Sequence, residues 1–92
     1  MTEKITLPLV VIQWNDHNSD DDWVNHKEAK ERAAPMVMSS VGWLVNETDE
    51  IYQIASTFSH ADNNLSMMMN IVKSAVVKTT NIPQPKRRKR RV

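Results

Sequence analysis

Apolar residues in this chain come in short β-branched runs, and that spacing limits its folding choices more than any other feature. Leu7-Pro8-Leu9-Val10-Val11-Ile12-Gln13-Trp14 is apolar on both alternating faces, the pattern of a buried strand rather than of an amphipathic helix. Pro8 carries no N–H donor, so it belongs at the start of that strand or on an edge. Met36 to Asn46 predicts a second strand. Ile51 to His60 alternates, with Tyr52, Ile54 and Phe58 on one face and Gln53, Thr57 and Ser59 on the other. That predicts a half-buried third strand. Glu47-Thr48-Asp49-Glu50 has turn chemistry, which makes the second and third strands a hairpin.

Between the first two strands the composition changes. Asn15 to Trp23 is a polar loop. Asn25 followed by Glu28 resembles a capping box, His26 to Ala33 are good helix formers, and Pro35 forbids continuation. One short helix near 26–33 is expected. A single Gly, Gly42, falls inside the second strand. It marks either a bulge that bends the strand or a close backbone approach, and the bulge is the favoured reading.

The stretch from Leu65 to Ile82 reads two ways. Leu65, Met68, Met69, Val72, Ala75 and Val76 fit one helical face. The β-branched Ile71, Val72, Val76, Val77, Thr79 and Thr80 favour extended backbone instead. The strand version runs Met67 to Val72, turns at Lys73-Ser74, and continues from Ala75 to Ile82.

Charge is segregated rather than balanced. The formal net charge is +1, yet Lys86, Arg87, Arg88, Lys89, Arg90 and Arg91 are consecutive. The rest of the chain holds six basic residues against all eleven acidic ones, a net −5. Six adjacent cations repel one another and cannot pack, so this tail should be disordered alone and ordered only against a polyanion. Pro83 and Pro85 stiffen the spacer before it.

Several chemistries are excluded by residue usage. With no Cys there is no disulfide scaffold, thiolate zinc site or thiol nucleophile. One Gly leaves no Gly-rich phosphate loop. No apolar run approaches the ~20 residues that span a bilayer, and Met1-Thr2-Glu3-Lys4 does not read as a secretory signal. Asp16, Asn18 and Asp20 match the first three positions of an EF-hand loop, but Asp21 stands where Gly is required and Lys27 where a bidentate carboxylate is needed. His17, His26 and His60 have no metal-ligand spacing. Ser39-Ser40 lacks both a nucleophile-elbow context and a base at a defining offset. No cofactor, metal or catalytic residue is expected.

The order of these segments carries a resemblance. An apolar strand ends in Trp14-Asn15-Asp16, a Ser-Asp-rich loop closes on Trp23, and a short Glu-Ala-Lys helix follows. Then come Ser40-Val41-Gly42-Trp43-Leu44-Val45-Asn46-Glu47, a hairpin, and Ile71-Val72-Lys73-Ser74-Ala75-Val76-Val77-Lys78. Over residues 7–82 this resembles short bacteriophage proteins expected to form small Sm-like β-barrels. The resemblance implies an origin and a barrel, and no activity. It tips Leu65 to Ile82 towards two strands.

The expected fold is therefore mainly β with one short helix (α+β), a five-stranded Sm-like barrel over residues 1–82 and a spacer and basic tail over 83–92. Trp14 and Trp43 lie in strand patterns and are expected in the core. Trp23, beside Asp20, Asp21 and Asp22, is expected at the surface as a candidate body contact. Met67 to Met69 expose at least one side chain in a strand, which suggests a subunit contact and a homo-oligomer. The expected function is non-enzymatic nucleic-acid binding through Lys86 to Arg91, in the cytoplasm of an infected bacterial host. The tail's rival partners are an acidic protein surface or, as an import signal, the nuclear import machinery. The alternative function is inhibition of a host defence complex, of the anti-CRISPR or signalling-nucleotide-sequestering kind, through the acidic body.

Overall fold

The computed structural model describes residues 3–19 and 21–84. Its elements are β1 (Leu9–Asp16), α1 (His26–Glu31), β2 (Met36–Glu47), β3 (Ile51–Phe58), β4 (Leu65–Val72), a 3-10 turn (Lys73–Ala75) and β5 (Val76–Asn81). The strands form one antiparallel sheet in the order β4-β3-β2-β1-β5. The stretch that read two ways is thus two strands and a 3-10 turn, with no α-helix. Pairing decided it: β4 lies along β3 from Ile51↔Val72 to Phe58↔Leu65, and β5 along β1 from Val10↔Asn81 to Trp14↔Val76.

Consecutive strands β4 and β5 lie at opposite edges of the sheet, joined only by the 3-10 turn. That is feasible only if the sheet curls. In a flat sheet β1 and β4 would be roughly 14 Å apart, yet Ile71 of β4 packs in one cluster with Val10 and Ile12 of β1 and Ile54 of β3. Curling does not extend to closure: among the described residues no ladder joins β4 to β5. Among the described residues six hydrophobic ones are buried, namely Val10, Ile12, Ile54, Ala55, Phe58 and Ile71. A second apolar contact flanks this core, where the Trp43 ring meets Phe58 at 5.7 Å and His60 at 5.6 Å between centroids.

Trp43 is half-buried, and Trp14 packs half-buried against the core cluster. β1 starts at Leu9 rather than Leu7, because Pro8 lacks a donor; its carbonyl still accepts from the Leu44 N–H at 2.7 Å. α1 ends at Glu31, two residues before the expected Ala33. There the Arg32 N–H is shared between the Glu28 and Ala29 carbonyls, tightening the last turn.

The favoured reading of Gly42 is corrected. Its pairing with Val10 is regular, and its φ is not positive. The bulges fall elsewhere: Val45 is the extra residue between Leu44↔Ile54 and Asn46↔Gln53, and Val77 is the extra residue opposite Gln13 and Trp14. Gly42 is needed because the backbone of the neighbouring strand β3 comes close to it. A Cβ there would stand 2.8 Å from the Ala55 carbonyl oxygen and 3.1 Å from Ile54 Cβ.

The β2–β3 turn is built by Thr48, whose Oγ1 accepts from the Glu50 and Ile51 N–H groups at 3.2 and 3.1 Å. Lys73 staples the 3-10 turn to it. Its N–H donates to the Glu50 carbonyl at 2.7 Å, and its ammonium meets Glu47 Oε2 at 2.6 Å. The Glu47 carboxylate holds the Lys73 pKa above its ordinary 10.5. A group raised on folding stabilises fully below its unfolded pKa and loses that contribution as pH climbs through the raised value. Melting temperatures of wild type and Lys73→Gln should therefore differ at neutral pH and converge above pH 10.5. A gap that stays constant through that range would contradict the pairing.

Candidate functional surfaces

Among the described residues of the connection from β1 to β2, residues 17–35, none is buried in the core. α1 has no buried residue. It is held locally instead: Asn25 Oδ1 accepts from the Glu28 N–H at 2.8 Å, and Asn25 Nδ2 donates to Glu28 Oε1 at 3.1 Å. Glu28 in the first turn and Lys30 in the last also suit the helix dipole. Asn25→Ala should melt α1 locally, at about 1 kcal/mol, while global melting stays put because α1 buries nothing. Faster amide exchange at Ala29 and Arg32 with an unchanged unfolding midpoint is the expected result; a shifted midpoint would show that α1 supports the sheet.

Trp23 stands fully exposed on this connection, 102% of the reference area, between exposed Asp22 and half-buried Val24. An indole left wholly in water has no folding role. Asp21 and Asp22 beside it are also exposed, and Asp22 pairs with Arg32 at 3.5 Å. Asp20 lies outside the described residues, as do Lys86, Arg87, Arg88, Lys89, Arg90 and Arg91. Of the EF-hand-like positions, Asp16 and Asn18 are engaged locally. Asp16 Oδ1 accepts from the next N–H, that of His17, at 2.8 Å, and Asn18 Nδ2 donates to the Ala34 carbonyl at 3.4 Å. Among the described residues no group of three His, Asp or Glu side chains could hold a metal ion. His17, His26 and His60 sit on three separate elements, and His60 packs against Phe58 with ring centroids 4.5 Å apart.

The sheet also leaves large apolar side chains uncovered on two of its strands. Met36, Val37, Met38 and Val41 of β2 are exposed, as are Met67, Met68, Met69 and Val72 of β4. Met67 is 74% exposed and takes φ 57°, a left-handed conformation that is uncommon for a residue other than Gly. Edge strand β4 is thus kinked at its centre, a device that blunts edge-to-edge pairing.

Near the 3-10 turn, β1 and β4 border a groove of about 420 Å³, lined by residues that include Trp14, Asn15, His17, Asn70, Ile71 and Ser74. The Trp14 indole N–H donates to Ser40 Oγ at 2.9 Å, and Ser40 donates on to Met69 Sδ at 3.6 Å. Asn15, Asn70 and Ser74 did not stand out in the sequence. Asn15 lies far along the chain from Asn70 and Ser74, and only the curl of the sheet brings it to their rim. No helix among the described residues is long and apolar enough to cross a membrane. The chain matches no family model, no curated protein and no solved structure.

Proposed function

We propose that this protein is a non-enzymatic accessory binding protein, in keeping with its resemblance to short bacteriophage proteins, and that it associates with nucleic acid through Lys86 to Arg91. The carrying observation is the separation of six consecutive cations from a chain that is otherwise net −5. Phosphates reward clustered cations without regard to base sequence. An acidic body repels the duplex and leaves the tail as the contact. Binding measured with and without residues 86–92 tests this. Retention of full affinity by the truncated chain would overturn it.

In this reading the curled sheet is an incomplete Sm-like barrel whose free β5 edge and exposed methionines are covered by further copies of the chain. Among the described residues, six buried hydrophobic ones make a small core beside eleven exposed large ones, and such a balance favours assembly. Light scattering should give a mass above that of the 10.6 kDa chain. A monomer at high concentration would reject the assembly.

Full exposure of Trp23 beside Asp21 and Asp22 favours a second reading. Here the acidic body occupies a basic groove on a host defence complex, with Trp23 as the anchor, since buried Trp residues dominate many interfaces. In that case Trp23→Ala abolishes inhibition and removal of the tail does not.

A further inference from the structure

We infer that the groove bounded by β1, β4 and the 3-10 turn takes a neutral planar heteroaromatic ring, the unpaired base of a single strand. The inference depends on the nucleic-acid reading only for how the strand is recruited. About 420 Å³ lies within the ~300–1,000 Å³ typical of small-molecule sites. Its apolar side is formed by half-buried Trp14 and by Ile71, which is 3% exposed. The Trp14 indole is fixed in orientation by its bond to Ser40, so an aromatic wall is in place before a ligand arrives. Around it the exposed side chains of Asn15, Asn70 and Ser74 make no hydrogen bond to another described residue and stand open to a ligand. Amide and hydroxyl groups of this kind meet the donor and acceptor edges of a base.

Charge narrows the occupant further. Among the described residues no Asp, Glu, Lys or Arg lines the groove, and His17 is the one basic side chain at its rim. The nearest cation in sequence, Lys73, is committed to Glu47 at 2.6 Å. A phosphate would find no counter-charge there, whereas a neutral base needs none. Phosphates would be held by the tail and bases by the groove, a division that a duplex cannot satisfy because its bases are stacked and paired.

The test uses the full chain and two probes. First, adenosine and cytidine are titrated while the indole N–H of Trp14 and the side-chain amides of Asn15 and Asn70 are followed by NMR. Saturable shifts at these groups are the expected result. No shift up to the solubility limit, or shifts confined to Trp23, would overturn the inference. So would groove shifts that appear with rising protein concentration alone, which would make a second copy the occupant. Second, a single-stranded oligonucleotide and a blunt duplex are compared on Asn15→Ala, Asn70→Ala and Ser74→Ala. Each should weaken single-strand binding about 3–10-fold and leave duplex binding unchanged; equal loss on both, or none on either, would count against the groove. Should neither oligonucleotide bind wild type, the tail reading fails, and the nucleoside titration still decides the groove.

Discussion

A fourfold rise in monovalent salt should weaken binding of the full chain to duplex nucleic acid by roughly a thousandfold. Each phosphate neutralised by a Lys or Arg releases condensed counterion, and the logarithm of affinity falls with log salt by about 0.9 per contact. Six contacts, from Lys86 to Arg91, give a slope of about −5. The same titration on a chain lacking residues 86–92 should be flat and weak, because the remaining net charge is −5. Replacing the six cations with Gln should reproduce the deletion, and randomising the duplex sequence should change little. A slope near −5 that survives removal of the tail would place the contacts on the folded body and discard the tail mechanism. Strong binding to a poly-acidic peptide, with none to nucleic acid at low salt, would assign the cations to an acidic protein surface.

Gly42→Val should lower stability by about 1–3 kcal/mol, the range for forcing atoms into a packed site. For a domain of this size each kcal/mol shifts melting by roughly 4–8 °C. The cause is the Ala55 carbonyl oxygen, 2.8 Å from the position a Cβ would take. That neighbour is backbone within the central strands of the sheet and cannot swing aside as a side-chain tip would. Gly42→Ala should therefore cost a large part of the same loss, since the first carbon already meets the obstacle. Denaturant unfolding should show a lower midpoint at an unchanged slope, the sign of altered stability without altered compactness. If Gly42→Val melts like wild type and loses partner binding instead, this part of β2 belongs to a contact surface rather than to a close approach of β3.

Much of the secondary structure was legible because its signals are local. Alternation at Ile51 to His60, turn residues at Glu47 to Glu50, the Asn25–Glu28 pairing and Pro35 each act within a few residues. The resulting β3, turn and α1 follow them closely. Exposure of Trp23 followed from its polar neighbours in the same way. The segregation of charge is likewise a property of the sequence, and the candidate nucleic-acid contacts Lys86 to Arg91 were read from it alone.

Other features required partners distant in the chain. Leu65 to Val76 satisfied a helical stripe as well as a strand pattern, and only pairing with β3 and β1 removed the helix. The role of Gly42 depended on where the Ala55 carbonyl passes, which no residue near Gly42 encodes. The groove was invisible for the same reason: Asn15 and Ser74 are ordinary polar residues at the ends of ordinary elements. Sequence by itself determined which stretches extend, which turn and where the charge lies, because propensity and electrostatics are written residue by residue. Only the tertiary structure decided which strand meets which and how far the sheet curls. Those outcomes are set by long-range packing of Val10, Ile12, Ile54 and Ile71 into one shared core.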